Sequence, residues 1–236
     1  MNSLNESALG ELDEAFYSVA TNEGIRVAVV SGAGQRAFSA GADLKELESK
    51  SSSGMLNLSE QAQALFQRIE GIGKPVIAAV NGLALGAGFE LCLASTLRIM
   101  SDSARIGFPE ITLGAIPGYG GTQRLTRLIG QGAALEVLLT GELIPASRAF
   151  ELGIANRIVP QDELLSVVNT LAQRLAGFSP LAMKVLLQVV YLGKESPLQT
   201  GFALERMGIA ALFASDDLRE GIAAFREKRV PIFRGC

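Results

Sequence analysis

Apolar positions in this chain recur first with a helical period, then in short solid runs, then with a helical period again. Between Leu4 and Ala20, the residues Leu9, Leu12, Ala15, Phe16 and Val19 share one helical face, which predicts an amphipathic helix. Val27 to Val30 is a short, wholly apolar run of the kind found in strands buried on both faces. Gln61 to Ile69 returns to helical spacing. Val76 to Val80, set off by Lys74-Pro75 and Asn81-Gly82, predicts a second buried strand. A buried helix follows over Gly88 to Ala94, then strands at Leu97 to Ser101 and Arg105 to Gly107, then helices at Thr122 to Ile129 and Gln131 to Leu139. This alternation predicts an α/β fold. From about Ser179 the pattern turns to nearly continuous helix over Pro180 to Tyr191, Leu198 to Phe213 and Asp216 to Lys228, an all-helical appendage. Ser51 to Gly54 is the one loose segment, expected to be a mobile surface loop.

Composition narrows the chemistry. The 236 residues are 48% hydrophobic, enough for a full core, and include no histidine, no tryptophan and two cysteines, Cys92 and Cys236. Ser-His-Asp, Cys-His and His-ligated metal chemistry are excluded, as is a four-thiolate metal site, and no metal site is expected. The cysteines offer no disulfide framework, which fits a reducing, cytoplasmic compartment. A net charge of −3 and the scarcity of aromatics argue against a nucleic-acid partner. The apolar run from Leu83 to Leu97 is broken by Glu90 and several glycines, so no membrane span is expected, and Met1 to Leu9 carries no export signal.

Two carboxylates remain as the best clue. Glu90 closes the stretch Ala84-Leu85-Gly86-Ala87-Gly88-Phe89-Glu90, and Glu110 closes Gly107-Phe108-Pro109-Glu110, which runs on to Gly118-Tyr119-Gly120-Gly121. Apolar surroundings desolvate a carboxylate and raise its pKa, so the pair points to acid and base chemistry near neutral pH. The glycine-rich loops offer backbone N–H groups unobstructed by side chains. Ala42, just before a helix over Asp43 to Glu48, and Ala87, at the start of the helix leading to Glu90, would together hold an oxyanion. Gly32-Ala33-Gly34-Gln35-Arg36-Ala37 satisfies a dinucleotide pattern, but Phe38 to Asp43 reads as loop where that fingerprint needs a helix, and no nicotinamide or flavin cofactor is expected. Each feature has a plainer reading. Glu90 can favour its helix N-terminus, Glu110 can be a solvated loop acid, Asp43 suits a first helical turn, Phe225 suits a core, Lys228 an exposed helical face, and Cys92 an inert core position.

Taken in order, Ala37-Phe38-Ser39-Ala40-Gly41-Ala42-Asp43-Leu44, Lys74 to Glu90, and Pro109-Glu110 through Gly121-Thr122-Gln123-Arg124-Leu125 resemble the crotonase (enoyl-CoA hydratase/isomerase) superfamily, as does Glu220 to Arg229. The resemblance implies a spiral of ββα units over residues 1–178, carrying an acyl-CoA site, and a helical oligomerisation region over 179–236 that builds trimers or hexamers. It implies that the Ala42 and Ala87 amides bind a thioester oxygen, that Glu90 and Glu110 perform hydration, and that CoA lies against Ala40, Asp43, Leu44 and Lys45. Phe225 and Lys228 would approach the CoA, often from a neighbouring subunit, and Gly118 would sit beside the catalytic water. No cofactor is implied beyond the CoA of the substrate. Glu110 is expected as the principal acid and Glu90 as the base orienting the water. An enoyl-CoA isomerase is the alternative, with an RNA-binding member from a different class; Leu56 to Glu70 has only Arg68 as a cation, which argues against the latter. The sequence departs from the pattern at Ala87, frequently glycine in the family, and at its start, where a first strand is expected to be missing and the edge of Val27 to Val30 left unpaired.

Overall fold

The computed structural model describes residues 1–236 and begins with α1 (Glu6–Thr21), β1 (Ala28–Ser31), β2 (Ala37–Ser39), α2 (Leu44–Glu48) and α3 (Ser52–Glu70). The middle comprises β3 (Val76–Val80), β4 (Leu83–Leu85), α4 (Ala87–Ala94), β5 (Leu97–Ser101), β6 (Arg105–Gly107), a 3-10 turn (Pro109–Leu113), α5 (Gly121–Ile129) and α6 (Gln131–Thr140). Then come β7 (Ile144–Pro145), α7 (Ala146–Glu151), β8 (Arg157–Val159), α8 (Leu164–Ala176), α9 (Pro180–Lys194), α10 (Leu198–Phe213) and α11 (Asp216–Glu227).

From β1 to β6 successive strands go to alternate sheets, and β7 then turns back beside β6 before β8 joins the first sheet. One sheet has the order β1-β3-β5-β8 and is parallel throughout; the other has the order β2-β4-β6-β7, with only β7 antiparallel. Each β-β-helix turn therefore adds one strand to each sheet, and the chain advances as a spiral. The period-2 alternation of β3 shows why its five residues are all buried: Val76, Ala78 and Val80 enter the main core, while Ile77 and Ala79 face a second cluster with Leu164 and Val168 of α8.

Several sequence expectations are corrected. Ser51 to Gly54 is not a loose loop: the Ser51 hydroxyl accepts the Gly54 N–H at 3.1 Å and caps α3, whose first turn begins at Ser52. Phe38 and Ser39, read as loop, belong to β2, because pairing with β4 supplies backbone partners that no local pattern reveals. Val27 to Val30 is not a strand buried on both faces; β1 is an edge strand with β3 as its single neighbour, and Val29 is exposed. That is the open edge expected there. The chain reaches α1 through an extended segment: Leu4 donates to the Gly41 carbonyl at 2.8 Å and Ala40 to the Met1 carbonyl at 2.9 Å, so residues 1–4 brace the loop that carries Ala42. The Gly32 to Ala37 turn is tied by Asn81, which accepts the Gly32 N–H at 3.0 Å and donates to the Gly32 and Gly34 carbonyls, and it leads into β2 rather than a helix.

At the other end, α9 and α10 pack on each other through glycines: a Cβ on Gly208 would lie 2.9 Å from Val185 and 3.0 Å from Val189. Neither helix contains a buried residue, and Leu186, Val190, Phe202, Met207, Ile209 and Phe213 are exposed. No single helix is long and apolar enough to cross a membrane.

Candidate active site

Two chain reversals bring the glycine loops together. Gly41 and Gly86 both have positive φ, +94° and +49°, which residues with a Cβ adopt at a cost. A Cβ on Gly41 would lie 2.8 Å from the Leu85 carbonyl oxygen and 3.6 Å from the Ala87 nitrogen, so the Ala42 and Ala87 loops are in contact. The Ala42 N–H donates no hydrogen bond within the chain. Ala87 is the first residue of α4, where a helix N–H has no intrahelical acceptor.

The same loops hold the carboxylates. Pro109 at the start of the 3-10 turn aims Glu110 back at Gly86, where a Cβ would lie 2.5 Å from Glu110 Oε1. Glu110 Oε2 is buried and has no hydrogen-bond partner. Burial raises the Glu110 pKa above the usual carboxylate value, partly offset by a hydrogen bond from its own backbone N–H. Glu90, on α4, is 1% exposed. Its Oε1 accepts the Tyr119 N–H at 2.8 Å and the Gly121 N–H at 2.7 Å, and Oε2 makes no hydrogen bond within the chain. Burial pushes its pKa up to about 7; the Gly121 and Tyr119 N–H groups hold it down, Glu110 raises it, and Arg124 lowers it. Close approach again demands glycine, since a Cβ on Gly121 would lie 2.8 Å from Glu90 Cγ.

Neither plain reading of the glutamates survives. Glu90 is in the first turn of α4 but bonds the amides of a remote loop, and Glu110 is half-buried against Gly86 rather than solvated. Gly118 lies in that remote loop, and its N–H donates no hydrogen bond within the chain. Ala40, Asp43, Leu44 and Lys45 flank Ala42; Asp43 caps α2 by accepting the Lys45 N–H at 2.9 Å, and Leu44 is exposed. Phe225 is not a core residue but 86% exposed on α11, and Lys228 ends that helix in the left-handed conformation. No hydrogen bond or ion pair ties either one to residues 40–45. Cys92 is buried, and burial raises its thiol pKa, as an inert core position requires. Sequence reasoning missed Ser59 and Gln63, which reach the Gly118 carbonyl from α3.

A family model described as enoyl-CoA hydratase/isomerase matches residues 1–235. The chain belongs to this family. It is 42% identical over 234 residues to the 2,3-dehydroadipyl-CoA hydratase of Escherichia coli, covering 99% of this chain and 91% of that one. It is 35% identical to the short-chain-enoyl-CoA hydratase of Clostridium acetobutylicum, covering 97% of this chain and 88% of the relative. Among solved structures, the enoyl-CoA hydratase of Bacillus anthracis superposes with a TM-score of 0.96 at 38% identity, over 99% of this chain and 91% of that one. The spiral of paired strands and helices is thus the fold of the enoyl-CoA hydratase/isomerase family.

Proposed function

We infer that the protein is an enoyl-CoA hydratase, which adds water across the 2,3 double bond of a 2-enoyl-CoA thioester. The observation that carries this reading is the joining, in one buried site, of two carboxylates of raised pKa to two loops that present backbone N–H groups. Attack of water oxygen at the β-carbon moves the π electrons toward the thioester carbonyl, and the Ala42 and Ala87 amides stabilise the resulting enolate oxygen. Losing one such donor typically costs ~10²–10³ in rate. The attacking water passes a proton to Glu90, and Glu110 delivers one to the α-carbon. Glu90 suits the base because two amides favour its ionised form. Glu110 Oε2, buried and unpartnered, suits the acid. The free Gly118 N–H adds a donor for the water.

The CoA moiety fits against Ala40, Asp43, Leu44 and Lys45, with Phe225 and Lys228 contributed by a neighbouring subunit. A phenylalanine 86% exposed on its own chain favours that arrangement. The exposed apolar side chains of α9 and α10 likewise favour a homotrimer or homohexamer, with 179–236 as the assembly region and 1–178 as the catalytic core. The reaction needs no cofactor beyond the substrate's CoA, and free thiols suit the cytoplasm. Isomerisation can run on a single base, so retention of both glutamates favours hydration. An RNA-binding role finds no basic face on α3, where Arg68 is paired with Asp13.

Absorbance of the conjugated thioester tests this directly with crotonyl-CoA, octenoyl-CoA and methylglutaconyl-CoA. Loss of the band marks hydration and ranks acyl groups. If no 2-enoyl thioester is hydrated while a 3-enoyl-CoA gains the band, the protein is an isomerase.

A further inference from the structure

The peptide unit between Gly118 and Tyr119 is held from both sides. Its N–H, on Tyr119, donates to Glu90 Oε1 at 2.8 Å. Its C=O, on Gly118, accepts from the Ser59 hydroxyl and from Gln63 Nε2, the latter at 2.8 Å. Ser59 and Gln63 are four apart on α3 and so project from the same face, and Gln63 Nε2 also lies 3.3 Å from Ser59 Oγ. The loop packs on α3 at van der Waals distance: a Cβ on Gly118 would sit 3.6 Å from both Ser59 Oγ and Met55 Cε. The next carbonyl, that of Tyr119, accepts from Arg124 Nη1 at 3.2 Å, and Arg124 Nε is held by Glu70 of α3 at 3.1 Å. Thus α3 holds the Gly118 carbonyl directly and the Tyr119 carbonyl through Arg124 of α5, in a loop with no regular structure of its own.

We infer that Ser59 and Gln63 are positioning residues for Glu90: by holding the Gly118 carbonyl they keep the N–H of the same peptide aimed at the catalytic carboxylate. The assignment deepens the hydratase reading and rests on it for the role of Glu90. Two physical effects follow. A trans peptide has its C=O and N–H pointing opposite ways, so fixing one end fixes the other. Donation to the carbonyl also polarises the peptide and strengthens what its N–H gives, by ~10–30% per bond in a low-dielectric interior. Neither side chain touches the substrate in this role; both act through the loop. The charged and titratable groups around Glu90 are Glu110 from the 3-10 turn, Arg124 from α5 with its Glu70 partner on α3, and Tyr119 itself. None of them is altered by changing Ser59 or Gln63.

The test compares Ser59→Ala, Gln63→Ala, the double variant and the conservative Ser59→Thr, each checked for assembly and Tm. The double variant should lose ~10-fold or more in kcat on crotonyl-CoA, since misplacement of a reacting group by about 1 Å can cost ~10²-fold, with KM within about threefold. Its pH profile should shift alkaline by roughly half a unit, because a weaker N–H donor favours the ionised carboxylate less. Ser59→Thr, which keeps the hydroxyl, should restore kcat and pH profile toward wild type. A readout independent of turnover follows the protonated-carboxyl infrared band of Glu90, assigned by subtracting Glu90→Gln. It should titrate at higher pH in the double variant, whether or not crotonyl-CoA is hydrated. Absence of hydration by the wild type would therefore overturn the hydratase reading without touching the clamp. Wild-type kcat and an unmoved band in the double variant would overturn the clamp; so would a Tm loss with kcat and pH profile unchanged, or failure of Ser59→Thr to rescue. Should the double variant not fold, the single variants carry the same comparison at smaller amplitude.

Discussion

Replacing Glu90 by glutamine should make the folded protein more stable at pH 8 while disabling it. In the folded chain burial lifts the Glu90 pKa from its ordinary 4.5 to about 7. Below pH 4.5 folded and unfolded forms both carry the proton, and the group costs nothing. Between 4.5 and 7 the unfolded chain releases it while the folded chain retains it, so stability falls as pH rises; above 7 both are ionised and the loss is complete. At about 1.4 kcal/mol for each pH unit, a rise from 4.5 to about 7 amounts to about 3 kcal/mol. Glutamine keeps an oxygen for the Tyr119 and Gly121 N–H groups and removes the charge, so the variant should lack this slope. Urea denaturation at fixed protein concentration from pH 5 to 8.5 measures it: the gap between wild type and Glu90→Gln should open by up to about 3 kcal/mol toward alkaline pH, while hydratase kcat falls at least ~10²-fold. Parallel stability curves over that range would refute the premise that Glu90 is held in a desolvating site.

Glu110→Gln should also lower kcat at least ~10²-fold with acyl-CoA binding little changed, measured by crotonyl-CoA turnover and isothermal titration. Gly86→Ala forces a Cβ into positive φ and to 2.5 Å from Glu110 Oε1, so it should cost ~1–2 kcal/mol of stability in urea and lower kcat disproportionately. The two cysteines should separate under a thiol reagent, with exposed Cys236 reacting in the native protein and buried Cys92 only after denaturation; two fast thiols would contradict the burial. Light scattering at micromolar concentration should give a trimer or hexamer, and a stable monomer would remove the explanation for the exposed apolar faces of α9 and α10.

What could be read in advance follows from how local each cause is. Val76 to Val80 is a continuous apolar run bounded by turn residues, Leu97 to Ser101 is apolar at Leu97, Ile99 and Met100, and both form strands with those limits. Ala37 to Ser39 and Leu83 to Leu85 are three-residue strands between glycine turns, and what makes them strands is their pairing with each other across more than forty residues. Serine and glycine at 51–54 have poor helix propensity, yet Ser51 supplies the cap and the burial of Leu58 and Leu65 draws the helix back to it. The site divides in the same way. Glu90 and Glu110 stood out because glycines and apolar residues surround them in sequence. Ser59 and Gln63 did not, because they bind the backbone of a loop more than fifty residues away. Their one trace in the sequence is a polar pair four apart, interrupting the apolar face that Met55 and Leu58 begin.

The choice of backbone donors for Glu90 has a physical consequence of its own. Burial alone would drive a carboxyl well above neutrality, leaving it a poor base, whereas a guanidinium in direct contact would hold it ionised and too weak to accept a proton. Two amide N–H groups sit between these extremes: they offset part of the desolvation without placing a full charge in the site, and they leave Glu90 near 7, where it can take up and release a proton at working pH. Arg124 contributes only a minor lowering from a distance, because its guanidinium is spent on Glu70 and the Tyr119 carbonyl. Because amides cannot be substituted by mutation, a chain that tunes its base this way must hold the loop that bears them. That requirement falls on glycines at 120 and 121, which allow the close approach of Arg124 and Glu90, and on the side chains of α3 and α5 that fix the carbonyls. The acidity of Glu90 is therefore set in part by residues that never meet it, and loss of the Ser59 and Gln63 hydrogen bonds from α3 should move the pH optimum before it moves the fold.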